Sequence, residues 1–436
     1  MQHPSQHDVV VVGGGPAGAA AAGRLRRLGR SVLVLESERF PRFHVGESLL
    51  PLGNHVFDEI GVADKVRAAG FHPKRGAQLL SSCGGRKVVF DFAEKRIHPS
   101  ETVQVPRAEF DQLMLEHVRE LGADVVQARA RGYAIDAEGV TVTHVGDDGR
   151  QRQARAAAIV DASGRAGLVA RGEGVRVPDP DLKKASVYAH FRGVRRDDGR
   201  RAADTRISVL PELGWMWWIP IGDDLTSVGV VLDLADYRRQ DKGDLQAIFD
   251  RSVASSPVAT VLLGHAERVT PFRAESGFSY RAERYCGDRW LLAGDAGSFL
   301  DPVWSTGVQM ALQSGVEAAD ACERGWLSRR ADPRRARARY QRTLQRRYAF
   351  VRRFVTGFYD PAVRDLLFHP RRILGIDRAV TRVLAGGFDL GPLDRLRLRL
   401  FFLLGRLQER YELVPRLDHG AAVELDTAAP EPMLER

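Results

Sequence analysis

Cysteine is scarce: Cys83, Cys286 and Cys322 are the three in 436 residues, too few and too far apart for a disulfide framework or a metal-ligand cluster. That usage fits a reducing, cytoplasmic compartment. Lysine is scarce as well. Only seven of the 65 basic residues are lysine, so the formal charge of +9 is carried by arginine, as a compositional bias produces. No nucleic-acid reader motif accompanies that charge, which argues against a DNA- or RNA-binding role. Long apolar runs are missing too: Leu400–Leu404 is far shorter than the ~20 residues needed to span a bilayer. Met1–Asp8 has no basic region followed by an apolar stretch, so no secretion leader is expected. With 44% hydrophobic and 28% charged residues, the chain reads as globular, with two intertwined domains.

Strand, glycine turn and helix follow one another at the start. Asp8–Val12 predicts a buried strand, Ala17–Leu25 a small-residue helix and Ser31–Leu35 a second strand that ends at Glu36. Further on, Ala108–Leu121 predicts a helix, and Asp124–Val126 and Ala156–Val160 predict strands. Trp215–Ile221 and Thr226–Leu232 alternate as neighbours in an antiparallel sheet would. Trp290–Ala293 returns to a short buried strand, and Gly307–Ala321 to a helix. Beyond Ala331 the chain is helical and arginine-rich and is expected to pack across the sheet; from His419 it reads as a tail.

Gly13, Gly15 and Gly18 stand in GxGxxG register between strand and helix, with Pro16 and Ala17 opening the helix and Glu36 eighteen residues after the last glycine. Gly13 permits the tight turn, Gly15 lets the backbone approach a pyrophosphate, and Gly18 lets helix and strand pack closely. The helix N-terminus supplies positive potential. Glu36 is the acid expected on a ribose. A dinucleotide is the implied ligand.

Later motifs narrow the class. Asp161-Ala162-Ser163-Gly164 and Gly294-Asp295-Ala296 resemble the distal motifs of the flavoprotein monooxygenases. That resemblance implies FAD, with Asp161, Asp295 and Arg107, in Val105-Pro106-Arg107, as cofactor contacts. Read by themselves, Asp295 is a helix cap and Arg107 a solvated charge. Trp215, Trp217, Ile219 and Pro220 form WxWxIP, while Phe299, Pro302, Ser305 and Gly307 form FxxPxxSxG. Lys74 opens a KxGA stretch, and Gly46-Glu47-Ser48 follows the first strand-helix-strand unit. Together these resemble the flavin-dependent halogenases, over roughly Asp8 to Gly387, and the length is similar to the shorter members acting on phenols, pyrroles or polyketides in secondary metabolism such as antibiotic biosynthesis.

The resemblance implies an α/β fold: a Rossmann-like FAD-binding domain (residues 6–78, 102–180 and 272–330), an antiparallel-sheet substrate domain (79–101 and 181–271), a helical region (331–418) and a tail (419–436). It implies reduced FAD, oxygen and chloride or bromide as reagents, giving hypohalous acid that Lys74 polarises or converts to a haloamine. Either route needs a desolvated amine, which an arginine cannot supply. Trp215, Trp217 and Ser305 are the other catalytic candidates, and Glu47, Ser48 and Pro302 are expected near the cofactor. The backbone N–H groups of Thr306 and Gly307, at a helix start, suit a halide; the bland alternative makes Ser305 an ordinary cap. Trp304 stands where relatives more often carry phenylalanine, and Asp301 reads as a turn residue. With no second nucleotide-binding glycine motif, a separate flavin reductase is the expected electron source. Arg346, Arg347, Arg352 and Arg353 are candidates for attracting an acidic carrier protein bearing the substrate. The competing readings are a flavin hydroxylase, an enzyme resembling the geranylgeranyl reductases, and a basic binding protein without turnover.

Overall fold

The computed structural model describes residues 5–211, 214–239, 243–328, 330–371 and 373–418. The expected tail lies outside them. Val9–Val12, an unbroken β-branched run, has both faces buried, as the centre of a parallel sheet requires. Strand Ser5–Val12 pairs in parallel with Val32–Glu36 on one side and Gln151–Asp161 on the other. Asp124–Ile135 and Trp290–Leu292 extend the parallel order at the two ends. Val140–Gly146 bridges the outer halves of Asp124–Ile135 and Gln151–Asp161 in antiparallel pairing. The two helices over this sheet, Pro16–Arg27 and Thr306–Cys322, approach closely because Gly315 sits on the carbonyl of Ala17, where a Cβ would collide with backbone.

A second, eight-stranded sheet is mixed. At its centre Trp215–Pro220 lies antiparallel to Leu225–Asp233 and to Thr205–Val209, and Thr205–Val209 runs parallel to Gly76–Leu80. Alternation along Trp215–Trp218 decides its packing. Trp215 and Trp217 join Tyr188, Trp304 and Phe358 under the C-terminal helices. Met216 and Trp218 join Phe249 and Val258 on the opposite face. Both faces are therefore covered, which explains why this strand carries no polar position.

Several boundaries move. The expected division at 78/79 falls inside strand Gly76–Leu80, which belongs wholly to the second sheet because it pairs with Thr205–Val209 and Lys87–Asp91. Likewise Arg273–Ser276, assigned from sequence to the cofactor domain, pairs with Lys184–Arg192 in that sheet. Strand Asp124–Ile135 is far longer than the apolar stretch that announced it, since its outer half alternates arginine with small residues. The basic run on helix Pro333–Phe358 is also partly spent. Arg347 is buried in a two-point ion pair with Glu317 at 2.5 and 2.9 Å, and Arg352 grips Asp179 at 2.6 and 2.9 Å and Asp181 at 2.5 Å. Neither is free to attract a partner.

One hydrogen-bonded line ties three distant segments together. The Trp215 indole donates to the Tyr359 hydroxyl at 2.8 Å, which donates to Asp301 Oδ2 at 2.8 Å, while Asp301 Oδ1 accepts from Val303 N–H at 3.0 Å. Burial pushes the Asp301 carboxyl up to about 6, against the pull of the Tyr359 hydroxyl. The Tyr359→Phe variant strands both an indole N–H and a carboxylate oxygen in the core, so it is expected to lose ~1–3 kcal/mol of folding stability. Urea denaturation checks this; an unchanged midpoint would mean the line contributes nothing.

Candidate active site

The nucleotide end assembles on the first turn. Gly13 takes φ 101, and its Cα faces Ala162, so a side chain would meet that residue's backbone. Helix Pro16–Arg27 starts without a side-chain cap and with proline in its first turn, which leaves its N–H groups directed at whatever fills the turn. Glu36 accepts from Gly14 N–H at 2.6 Å and from Glu38 N–H at 2.7 Å, so the acid is fixed against the turn. Arg42 joins it and was not singled out in the sequence. Its Nη2 lies 3.3 Å from where a Cβ on Gly15 would stand, Nη1 is 3.3 Å from Asp111 Oδ2, and its plane covers the Phe40 ring at 4.6 Å. Nε and Nη1 are thus held by Glu38 and Asp111, and Nη2 stands beside the uncapped helix end.

Asp161 is taken up locally. Its oxygens accept from Ser163 N–H, the Ser163 hydroxyl and Val169 N–H at 3.1, 2.6 and 2.7 Å, with the residue fully buried. This carboxylate shapes its own turn, and no oxygen is spare for the cofactor contact expected of it. Asp295 is the opposite case. Burial pushes its carboxyl up to about 6, the charges of Arg107, Arg165 and Arg176 pull it down, and no described side chain or N–H donates to it. An acceptor in that condition suits a hydroxyl-bearing chain such as the ribityl of FAD. With the free N–H turn, Glu36 and Arg42, it forms a donor and acceptor set that fits the dinucleotide.

The segment from Val45 to Gly53 is the wall on which the remaining candidates meet. Arg107 Nη1 donates to the Val45 and Gly46 carbonyls at 2.8 and 3.4 Å, and its other edge holds Asp111 at 2.8 Å twice. Burial works against that guanidinium's charge, yet Asp111, Glu47 and Asp295 raise its pKa, so it stays a fixed cation. A Cβ on Gly46 would stand 3.7 Å from Val308, and one on Gly53 2.9 Å from Gln309, so helix Thr306–Cys322 begins against the same segment. Glu47, fully buried, accepts from Gly46 N–H at 3.0 Å and meets His190 Nε2 at 3.2 Å.

Lys74 meets this wall at Ser48 and Leu49. Its strand, His72–Lys74, pairs with Thr102–Gln104, and the side chain is 1% exposed. The amine donates to Ser48 Oγ at 2.7 Å and to the Leu49 carbonyl at 3.1 Å. Thr205 spends its hydrogen on Gln104 Oε1 at 3.0 Å, so Ser48 must donate to Thr205 Oγ1, 3.0 Å away. Hydrogen bonds thus run one way, from the amine to a buried amide. Burial pushes the Lys74 ammonium down to about 7, while Asp204 pulls the other way. Asp204, Thr205, Gln104, His190, Arg42 and Gln309 are the residues that sequence reasoning missed.

At the start of helix Thr306–Cys322, Ser305 adopts left-handed φ 55 and its side chain caps nothing, which excludes the ordinary-cap reading. Thr306 is 4% exposed, and no acid stands in the first turn of its helix. The N–H groups of Thr306 and Gly307 therefore open a helix N-terminus free of anionic competition. Pro302 and Trp304 form the single turn before it; Trp304 donates to the Phe354 carbonyl at 3.2 Å. Trp215 and Trp217 have no polar atom to offer, because their indole N–H groups already reach Tyr359 and Ser227 at 2.8 and 3.2 Å. Their rings continue through Tyr188 to Phe43, just before the wall segment, with centroids 6.0, 5.7 and 6.3 Å apart.

Comparison with known proteins agrees with this geometry. Residues 6–322 match the family model described as FAD binding domain. The chain is 33% identical to a 1H-pyrrole-2-carbonyl-[peptidyl-carrier protein] brominase of Pseudoalteromonas luteoviolacea, over 74% of this chain and 78% of the relative. It is 35% identical to the corresponding chlorinase of Pseudomonas fluorescens, over 73% and 76%. The solved structure of the flavin-dependent brominase Bmp2 superposes with a TM-score of 0.81 at 28% identity, over 93% of this chain and all of that one. A dinucleotide turn, an open aspartate, a helix start free of acids and a desolvated lysine stand on one framework shared with these relatives, and the chain belongs to the flavin-dependent halogenases.

Proposed function

We propose that the protein halogenates an electron-rich ring, phenolic, pyrrolic or polyketide-derived, by passing hypohalous acid to Lys74. Bound and reduced FAD supplies the activated oxygen that oxidises chloride or bromide. The turn Gly13–Gly18 with Glu36 and Arg42 holds the dinucleotide, and Arg107 and Asp295 position its middle. Thr306 and Gly307 present N–H groups to the halide. Glu47 and Ser48 keep the wall segment in place, and the Ser48 hydroxyl aims the amine. One observation carries the reading: a lysine amine removed from water, with two neutral acceptors and, among the described residues, no carboxylate in hydrogen-bond contact. An amine in that setting loses its proton near neutrality and becomes a nucleophile toward electrophilic halogen.

Two further points concern partners. The absence of a second dinucleotide glycine motif supports a separate flavin reductase as the electron source. The named activities of the pyrrole relatives support a substrate carried as a thioester on a small carrier protein.

Lys74→Ala is expected to keep FAD binding and lose halogenation. The assay supplies FAD, a flavin reductase, NADH, bromide and monochlorodimedone, with the bromine isotope pair read by mass spectrometry. Brominated product at the wild-type rate would remove Lys74 from the chemistry.

Because the free amine is the reactive form and its pKa is depressed to about 7, turnover at saturating substrate should rise with pH through that value. A rate that falls across pH 7 would favour an ammonium that only polarises its partner.

Stability follows the same shift. An unfolded lysine keeps its proton up to about pH 10.4, so between about 7 and that value the unfolded chain binds the extra proton, and stability gains as pH rises. Wild type should therefore gain on Lys74→Met by on the order of a few kcal/mol between pH 7 and 10. A constant difference in denaturation midpoints would show that the amine is not desolvated.

A further inference from the structure

The helix Pro392–Tyr411 closes the C-terminal layer over the second sheet, and its inner side is conventional: Leu398, Phe401 and Phe402 are buried there. Its outer side is not. Leu396, Arg399, Leu403, Arg406 and Arg410 fall at three- and four-residue spacings and so share one face over about 21 Å. All are exposed, Leu396 at 61% and Leu403 at 48%. Solvent-facing helical positions are ordinarily polar, and two leucines among the five positions of such a face are uncompensated apolar surface.

The charge on this face is equally unbalanced. Several arginines of this and the neighbouring helix are matched: Arg347 with Glu317, Arg352 with Asp179 and Asp181, Arg397 with Asp394. Among the described residues, no carboxylate pairs with Arg399 or Arg406. Arg353, from the neighbouring helix, stacks on the Phe402 ring at 4.0 Å, and its pKa is lowered by burial and by repulsion from Arg406 and Arg399. Glu409 is the one acid on the outer side of this helix near them. Two guanidiniums that both repel Arg353 thus stand between and beside two exposed leucines.

The layer also leads inward to the reaction centre. Helix Ile376–Leu384 packs against Pro392–Tyr411 and ends at Ala385, whose carbonyl accepts from Leu52 N–H at 3.0 Å. Leu52 is in the wall segment that carries Ser48 and Leu49, the acceptors of Lys74. Gly386 receives the Gln309 amide at 2.7 Å, from the helix that begins at the halide end.

From the alternation of leucine and arginine, the want of carboxylates and this connection, we infer that the outer face of Pro392–Tyr411 docks an acidic carrier domain. The complement is an amphipathic helix of that domain with acids around an apolar centre: leucine meets the centre, and the arginines meet the rim. This rests on the proposed carrier-bound substrate and moves the docking surface away from Arg347 and Arg352, whose charges are already spent. Rim charges of this kind speed and orient encounter, and salt weakens them.

The test compares three proteins, each as full chain with FAD: wild type, Arg399→Glu/Arg406→Glu, and Leu396→Ser/Leu403→Ser. The probes are a peptidyl-carrier domain loaded with pyrrole-2-carbonyl thioester and free monochlorodimedone. Expected is a loss of 10-fold or more in kcat/KM for the loaded carrier in both variants, mainly through KM, with bromination of the free probe unchanged. The wild-type KM for the carrier should rise with salt. Equal turnover of loaded carrier by all three proteins overturns the docking face. If wild type brominates the free probe but neither binds nor modifies the carrier, the carrier-bound reading falls with it and the halogenase chemistry stands. If wild type instead sediments with phosphatidylglycerol vesicles, and does so less in the arginine variant, the face is a membrane contact and the inference is wrong.

Discussion

The site depends on a conflict between burial and charge at Lys74. A lysine amine at 1% exposure has lost its water, and the structure returns two hydrogen bonds to neutral oxygens in exchange. A carboxylate in contact would have stabilised the ammonium and raised its pKa, as Asp111 does for Arg107. Here Asp204 acts only at a distance, its own Oδ2 engaged by the Gln78 amide at 3.1 Å. The result is an amine that gives up its proton near neutrality, in a protein whose other cations are mostly arginines that keep theirs.

That conflict is sustained by position. The wall segment receives Arg107 on its carbonyls, helix Thr306–Cys322 on Gly46 and Gly53, and Lys74 on Ser48 and Leu49. Arg107, the start of helix Thr306–Cys322 and the Lys74 amine therefore all meet along one short stretch of chain. Glu47 has a part in this arrangement. Its contacts with Gly46 and His190 hold the wall against the second sheet, so the sheet's aromatic row bears on the site through packing alone.

Much of this was legible in the sequence, for identifiable reasons. The dinucleotide turn, the strands around it and the tryptophan strand all depend on local period and residue type, and their elements lie within a few residues of where pattern placed them. Lys74 was singled out by a short motif, and the desolvated amine expected from the resemblance is what the structure has, although a lysine beside Arg75 and Pro73 would by itself read as surface. Asp204, Thr205 and Gln104 were missed because their importance arises from contacts across about a hundred residues of chain, as in the Thr205–Gln104 bond. Asp161 misled for the opposite reason: the motif was genuine, but its carboxylate is consumed within eight residues by Ser163 and Val169. Arg42 was hidden by abundance. In a chain this rich in arginine, only the geometry distinguishes the one that faces Gly15.

The same abundance bears on how net charge should be read. A total of +9 suggests a general attraction for anions, yet most of the guanidiniums resolved in pairs cancel locally and contribute little beyond their neighbourhood. What acts at a distance is the remainder. On the helix Pro392–Tyr411 part of that remainder coincides with exposed leucine, and charge that coincides with apolar surface can both steer a partner and hold it. Surplus charge on a polar surface would steer and then let go. On the docking reading proposed above, the position of unpaired arginines relative to leucine matters more than their number.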